Sequence, residues 1–283
     1  MTERDQATGE NTAAARRPMT RTTMTRTTAL VTGATAGIGH EFATQLAARG
    51  HDLVLVARDT ARLEETAGRL RAAYGIEVEV LTADLSDRAQ TEVVAARLAE
   101  VDRPVDLLIN NAGIGLYDGA FADHSIEAEE QLLRINVRAV MRLTHAALGP
   151  MIGRGSGDIL NVSSVASFAP DATAPTYAAS KAWVTSFSEG LRAQLSGTGV
   201  RVTVLAPGLV PTEFQQSAGV DPQAPAVFWL DPDDVVDTAL RDLRQGHGVS
   251  IPGLQYRAVA MAMRLTPRRL YLPLSQRLTK RLT

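Results

Sequence analysis

One feature constrains the fold more than any other: short apolar segments alternate with amphipathic stretches from Thr28 to about residue 251. Most apolar segments hold Val, Leu or Ile at consecutive positions, which is typical of strands buried on both faces of a sheet. The stretches between them carry apolar residues at helical spacing. The predicted strands lie at 29–32, 53–56, 78–81, 105–109, 158–162, 200–205 and 248–251, and the predicted helices at 38–49, 60–74, 87–101, 125–148 and 175–196.

Strands of this kind, separated by helices, predict a parallel sheet that is covered by helices on both faces. We therefore expect an α/β fold over residues 27–254: a single doubly wound Rossmann-type domain with a mostly parallel seven-stranded sheet. Ligands of such sheets bind beyond the carboxyl ends of the strands, where the winding direction switches. The residues that directly follow each strand are therefore the candidate site residues.

Composition excludes several kinds of site. The chain has no cysteine, which rules out disulfides, thiolate catalysis and zinc–thiolate centres. Its five histidines are scattered without the spacing of metal ligands, so we expect no metal site. A net charge of −2 gives no general attraction to nucleic acid, and no apolar run approaches the ~18 residues of a membrane-spanning helix. The expected location is the cytoplasm.

The two ends of the chain differ in composition from the domain. Residues 1–26 predict a disordered tail, because a segment so rich in Thr, Ala and Arg cannot bury enough surface to offset its ordering entropy. Residues 255–283 hold seven Arg or Lys residues, interleaved leucines and no acid. We expect this basic amphipathic extension to pack on the body of the protein or on another subunit of a homo-oligomer. Peripheral contact with an anionic membrane is the alternative.

A glycine-rich turn joins the first predicted strand to the first predicted helix. Gly33, Gly37 and Gly39 allow the backbone to turn tightly and to approach a pyrophosphate group. The following helix directs its N-terminal N–H groups and the positive end of its dipole toward this turn. In this position the turn predicts a dinucleotide-binding loop, although its spacing is not the common G-x-G-x-x-G.

The end of the second strand determines cofactor choice. Dinucleotide folds that prefer NAD carry an acid there, which accepts hydrogen bonds from the ribose 2′-hydroxyl. Here Ala57 and Arg58 occupy the strand end, and a guanidinium suits a 2′-phosphate. NADP(H) is therefore the predicted cofactor, and NAD(H) stays as the alternative because Asp59 is adjacent. The competing interpretation makes Arg58 a surface residue that pairs with Asp59 or Glu64.

Side chains around the helix predicted at 175–196 indicate proton-transfer chemistry. Tyr177 and Lys181 are four residues apart and share one helical face. A nearby ammonium lowers the pKa of a tyrosine, although exposed pairs at this spacing are common in helices. Ser164, at the end of the fifth strand, can donate a hydrogen bond to a substrate oxygen as charge develops on it. Its neighbour Ser163 can simply satisfy local backbone groups.

Together these motifs resemble the classical short-chain dehydrogenase/reductase family over about residues 28–252. The matches are T-G-x-x-x-G-I-G at 32–39, N-N-A-G at 110–113, a serine that precedes Y-x-x-x-K by 13 residues, and P-G-x-x-x-T at 207–212. The catalytic residues that the resemblance implies are Asn136, Ser164, Tyr177 and Lys181. The implied cofactor contacts are Gly33, Thr35, Gly37, Ile38, Gly39, Arg58, Asp84, Leu85, Asn111, Ala112, Gly113, Tyr177, Lys181, Pro207, Gly208, Val210 and Thr212.

The resemblance also implies roles. Tyr177 would act as the general acid or base, and Ser164 would polarise the substrate oxygen. Lys181 would lower the pKa of Tyr177 and bind the nicotinamide ribose, and Asn136 would complete a proton relay. The implied function is NADP(H)-dependent interconversion of a carbonyl and an alcohol by hydride transfer. An NAD(H)-dependent dehydrogenase of the family, a non-catalytic nucleotide-sensing protein and a related lyase or epimerase are the alternatives, and the complete serine–tyrosine–lysine set favours the enzyme.

The segment 211–230 predicts the kind of substrate. It is Pro-rich, contains Phe214, Phe228 and Trp229, and follows the turn expected beside the nicotinamide. Segments in such positions often act as lids that exclude water. The resemblance implies that substrate specificity is built here, so we expect a lid over an apolar pocket, and therefore an apolar small-molecule carbonyl or alcohol as substrate. The alternative is a loop whose aromatic side chains merely pack on the body.

Overall fold

The computed structural model describes residues 26–218 and 225–266. Residues 1–25 of the expected tail and residues 267–283 of the expected extension lie outside the described residues. The strands are β1 (Thr28–Thr32), β2 (Asp52–Ala57), β3 (Val78–Thr82), β4 (Leu107–Asn110), β5 (Gly157–Val162), β6 (Val200–Leu205) and β7 (Val249–Ser250). The helices are α1 (Gly37–Ala48), α2 (Thr60–Tyr74), α3 (Arg88–Ala99), α4 (Ile126–Leu133), α5 (Val140–Gly153), α6 (Pro175–Gln194), α7 (Glu213–Ala218), α8 (Pro232–Arg244) and α9 (Leu254–Leu265). In this described part, no helix is long and apolar enough to cross a membrane.

The strands form one sheet in the order β3-β2-β1-β4-β5-β6-β7, and every pair of neighbours is parallel. The predicted doubly wound fold is thereby confirmed. In the centre, Ala29 of β1 pairs with Leu53 of β2 on one side and with Leu107 of β4 on the other. Because the winding direction reverses between β1 and β4, the carboxyl ends of these two strands open the crevice in which ligands of such folds bind.

Helices bury both faces of the sheet. Along β2, Leu53 and Leu55 belong to the core on one face, Val54 and Val56 to the core on the other, and all four are at most 1% exposed. Helices α1, α2 and α8 cover the first face, and α3, α5 and α6 cover the second. Close packing on both sides makes the sheet a rigid base that fixes the residues at the strand ends.

The helix predicted over 125–148 is not one continuous α-helix. A π-helical segment, Arg134–Ala139, separates α4 from α5, and α5 runs on to Gly153. A π-helical turn uses i→i+5 hydrogen bonds and frequently marks a functional site. The π-helical segment interrupts the 3.6-residue period of the helix. The spacing of the apolar residues changes too little for the sequence to indicate this interruption. The segment contains Asn136, one of the predicted catalytic residues.

Candidate active site

A cleft of about 860 Å³ lies at the carboxyl ends of the strands. The predicted site residues that line it are Gly33, Thr35, Gly37, Ile38, Arg58, Asp84, Leu85, Asn111, Ala112, Gly113, Ser164, Tyr177, Lys181, Pro207, Gly208, Val210 and Thr212. The structure therefore brings together residues that are spread over almost 180 positions of the chain. Gly39 and Asn136, in contrast, lie behind the wall of the cleft rather than on it.

The glycine turn leaves its backbone accessible, because Gly33 and Gly37 have no side chain. Gly33 and Gly37 have φ values of +67° and +52°, a backbone conformation that residues other than glycine rarely adopt. Gly39 has a different role, because a Cβ atom there would lie 2.1 Å from the oxygen of Gly33 and 2.3 Å from Nδ2 of Asn111. Gly39 thus allows the start of α1 to pack directly beneath the turn.

Asn111 connects the end of β4 to this turn. Its Nδ2 donates hydrogen bonds to the backbone oxygens of Thr32, at 2.9 Å, and of Gly33, at 3.3 Å. The backbone N–H of Ala112 donates to Oγ1 of Thr32 at 3.0 Å. The side chain of Asn111 therefore links the ends of the two central strands through its amide nitrogen.

Arg58 lies exposed at the end of β2 and makes no hydrogen bond or ion pair with any residue that the structure describes. Neither rival partner engages it. The Asp59 side chain caps α2 by accepting from the backbone N–H of Arg62 at 3.1 Å, and Glu64 lies 3.6 Å from Arg71. The guanidinium of Arg58 is consequently available to an anionic group in the cleft.

A second arginine, Arg62, also lines this end of the cleft and is absent from the sequence-based set. Its guanidinium donates to both carboxylate oxygens of Glu213, at 2.7 and 3.0 Å, and to the backbone oxygen of Thr35 at 3.0 Å. Arg62 thus joins α2, the glycine turn and the first residue of α7. Its place in the first turn of the helix predicted at 60–74, directly after the end of the second strand, is the signal that can indicate a second basic group here.

Tyr177 lies in an aromatic enclosure. It is 7% exposed, and its ring centre lies 5.5 Å from that of Tyr117 and 5.7 Å from that of Phe214. Burial raises the pKa of Tyr177 to about 12, a hydrogen bond with Ser164 acts in the opposite direction, and the carboxylate of Asp171 adds to the rise. The phenol is therefore protonated at neutral pH.

Lys181 is buried one helical turn further along α6. Its Nζ donates a hydrogen bond to the backbone oxygen of Val162 at 2.9 Å and lies 5.7 Å from the ring centre of Tyr177. Burial lowers the pKa of Lys181 to about 8. Desolvation disfavours the charged form of both groups, and it is the largest cause of both pKa shifts. The lowering of the tyrosine pKa by the lysine stays a prediction.

The two serines at the end of β5 differ in their surroundings. Ser164 precedes a 3₁₀ turn, Val165–Phe168; its Oγ accepts from the N–H of Ala166 at 3.1 Å and shares a hydrogen bond with Tyr177. Ser163 is buried, and its Oγ donates to the backbone oxygen of Lys181 at 2.8 Å. Only Ser164 has its hydroxyl beside the tyrosine.

Asn136 has each of its polar atoms occupied. Its Oδ1 accepts from the N–H of Ile114 at 3.0 Å, and its Nδ2 donates to the backbone oxygen of Ile114 at 2.9 Å and to Oγ of Ser180 at 3.1 Å. A Cβ atom on Gly113 would lie 3.2 Å from Oδ1 of Asn136 and 3.3 Å from Nζ of Lys181. Asn136 therefore holds the segment that follows N-N-A-G in place through Ile114, close to the lysine.

The substrate side of the cleft includes residues that the motifs do not indicate. Tyr117 follows β4, Met263 and Tyr256 come from α9, and all three line the cleft. Phe214 of the expected lid lies against Tyr177. The aromatic residue four positions after N-N-A-G is a usable sequence signal for Tyr117, whereas nothing local places α9 at the site. Across 26–218 and 225–266, no group of three or more His, Asp or Glu side chains is arranged to hold a metal ion.

Comparisons with known proteins agree with this geometry. Residues 27–223 match the family model described as short chain dehydrogenase, and the chain belongs to the short-chain dehydrogenase/reductase family. It is 33% identical to an uncharacterized oxidoreductase of Staphylococcus saprophyticus, over 82% of this chain and 97% of that protein. It is accordingly an enzyme that acts on CH–OH or carbonyl groups with NAD(P).

The solved structures that are similar to this chain include the following two. A short-chain dehydrogenase from Sphingobium yanoikuyae in complex with NADPH is 40% identical, with a TM-score of 0.77 over 83% of this chain and 93% of that one. A bulky-bulky ketone specific alcohol dehydrogenase from Comamonas testosteroni is 34% identical, with a TM-score of 0.73 over 83% of this chain and 91% of that one.

Proposed function

We propose that this protein is an NADP(H)-dependent reductase that interconverts an apolar ketone and its alcohol, with Tyr177 as the general acid or base. One observation carries the proposal. The hydrogen-bonded pair of Ser164 and Tyr177, together with Lys181, lines the same cleft as the glycine turn and the unpaired Arg58. A hydride carrier and a proton donor thus have places in one cavity.

The cleft suits a dinucleotide with a 2′-phosphate. The bare backbone of Gly33 and Gly37 permits close approach of a pyrophosphate at the start of α1. Arg58 supplies an unpaired guanidinium at the end of β2, where a 2′-phosphate is recognised in dinucleotide folds. Bound there, the nicotinamide cofactor supplies the hydride for reduction or accepts it in oxidation. The NADPH complex of the similar Sphingobium yanoikuyae enzyme supports the same choice.

The protonated phenol of Tyr177 is the proton donor in the direction of reduction. Its pKa of about 12 keeps the proton in place at neutral pH until a substrate oxygen gains negative charge. Ser164 donates to the same oxygen and stabilises that charge. Lys181 places a positive group near the ring of Tyr177 and returns a proton to the phenol after each transfer. Asn136 holds the backbone near Lys181 in place through Ile114.

The substrate pocket beside Tyr177 is apolar. Ile114, Tyr117, Phe214 and Met263 contribute to its lining, so the favoured substrate is one that buries hydrocarbon or aromatic surface around a carbonyl. The activity named for the similar Comamonas testosteroni enzyme, on ketones with two bulky substituents, supports this class.

The test is the loss of NADPH absorbance in the presence of a panel of ketones that range from acetone to diaryl ketones. We expect turnover with NADPH, faster with the larger ketones, and slower turnover with NADH. Tight NADPH binding without turnover on any ketone or alcohol would instead favour a nucleotide-sensing protein.

A further inference from the structure

The ring of Tyr256 closes one side of the cleft from helix α9. The residue is 5% exposed and lines the cavity. Its ring lies so close to Gly208 that a Cβ atom there would stand 1.9–2.4 Å from three ring carbons. The ring and the glycine backbone therefore fit each other directly, and neither position has room for a larger group.

The hydroxyl of Tyr256 joins two separate segments. It accepts a hydrogen bond from the backbone N–H of Leu209 at 2.9 Å and donates one to the backbone oxygen of Phe228 at 2.7 Å. Burial raises the pKa of this phenol, so its proton is present at neutral pH and the donated bond persists. Leu209 follows the Pro207–Gly208 turn of the cofactor site, whereas Phe228 belongs to the second part of the lid segment.

The same two segments also contact each other. The backbone N–H of Leu230 donates to the oxygen of Leu209 at 2.8 Å, and Leu209 forms a parallel β-bridge with Trp229. The hydroxyl of Tyr256 completes this contact by satisfying one further backbone group on each side.

We propose that Tyr256 is a positioning residue for substrate specificity: its hydroxyl ties the Pro207–Leu209 turn, which lines the cleft, to the segment 226–230 behind it, and thereby holds the turn and its own ring in place as one wall of the cleft that contains Tyr177. The proposal rests on the ketone reduction proposed above. It assigns to the start of the C-terminal extension a part in selecting large carbonyl substrates.

Tyr256→Phe tests this assignment, because it keeps the ring against Gly208 and removes only the hydroxyl. We expect kcat/KM for a diaryl ketone to fall roughly tenfold, mainly through KM, since two partly buried backbone groups lose their partner. For acetone, which does not reach the pocket wall, we expect a change of less than about twofold. Tyr74→Phe, on the exposed end of α2, is the matched control and leaves both values unchanged.

Hydrogen exchange gives a readout that does not depend on activity. In Tyr256→Phe the amide of Leu209 lacks its acceptor, so peptides that contain it exchange faster than in the wild type or in Tyr74→Phe. Unchanged exchange at Leu209, or equal losses of kcat/KM for the two ketones, would overturn the proposal. If the wild type reduces no ketone of the panel, the proposed function itself is refuted, and the role of Tyr256 in substrate specificity is refuted with it. Faster exchange at Leu209 would in that case show only that the hydrogen bond exists.

Discussion

The Nζ of Lys181 donates a hydrogen bond to the backbone oxygen of Val162, the last residue of β5, at 2.9 Å. This contact ties the lysine to the sheet, while its Nζ stays 5.7 Å from the ring centre of Tyr177. The position is nearly free of solvent, which explains why burial is the cause of the lowered pKa of Lys181. Folding therefore acts on the proton affinity of this lysine, and stability must depend on pH.

The first prediction concerns that dependence. Burial lowers the pKa of Lys181 from 10.5 to about 8, so between these values the unfolded chain holds more protons than the folded one. The free energy of unfolding therefore rises with pH across this window, and the full cost of burying the ammonium is present below it. Urea unfolding without added cofactor measures the effect. From about pH 8 to 10.5, the free energy of unfolding of the wild type should rise relative to that of Lys181→Met. If the difference between the two free energies stays constant or falls over this range, the prediction is wrong.

The second prediction concerns proton transfer. Tyr177→Phe keeps the ring between Tyr117 and Phe214 but has no proton to donate. We expect kcat to fall at least about a hundredfold, the lower range of contributions from a positioned acid. NADPH affinity, measured by calorimetry, should stay within about threefold because the cavity wall is preserved. Near-normal turnover in this variant would remove Tyr177 from the mechanism.

The third prediction separates the two nicotinamide cofactors. Arg58→Ala removes the unpaired guanidinium at the end of β2, and one charge-assisted contact corresponds to roughly a ten- to hundredfold loss of NADPH affinity. NADH affinity should barely change. Arg69→Ala is the control, because Arg69 is also exposed on α2 but does not line the cleft. Equal losses for both cofactors would show that Arg58 does not recognise the 2′-phosphate.

The fourth prediction compares two glycines. A Cβ atom at Gly39 would overlap the oxygen of Gly33 and the side chain of Asn111, so Gly39→Ala should destabilise the protein by about 1–3 kcal/mol and weaken cofactor binding. Gly68, in the middle of α2, has open space around its Cβ position. Gly68→Ala should stabilise by roughly 0.5–1 kcal/mol through helix propensity. Thermal unfolding measures both changes in stability. A Gly39→Ala variant as stable as the wild type would argue against the packing role of Gly39.

The fifth prediction concerns the C-terminal extension. Its first part, α9, buries Tyr256 and Ala260 and places Arg264 over the ring of Phe168 at 4.6 Å. Deletion of residues 255–283 should therefore lower the melting temperature, whereas deletion of residues 1–25 should not. If the extension instead lies on anionic lipid, the deletion would leave the melting temperature and the oligomeric state unchanged. It would then abolish salt-sensitive sedimentation with anionic vesicles.

Several features can be predicted from the sequence because each rests on residues close together in the chain. The apolar strands and the glycine turn from Thr32 to Gly39 are local patterns that the backbone must obey. The separation of Tyr177 from Lys181 fixes them on one face of α6. Once the sheet is parallel, the carboxyl ends of its strands must meet, so the residues after β1, β4, β5 and β6 belong to one cleft.

Other features depend on partners that are distant in the chain. The π-helical segment places Asn136 against Ile114 and Ser180, 22 and 44 residues away. Arg62 contacts Glu213 across 151 residues. No periodicity near either residue indicates such a contact.

By itself, then, the sequence determined the parallel sheet, the position of the glycine turn and the pairing of Tyr177 with Lys181 on one helical face. Only the tertiary structure decided the direction of the pKa shifts at Tyr177 and Lys181, and the use of Tyr256 as a wall of the pocket. The physical reason is the same in both cases. Desolvation and close packing depend on everything that surrounds a group in space, whereas strand and helix patterns depend on its neighbours along the chain.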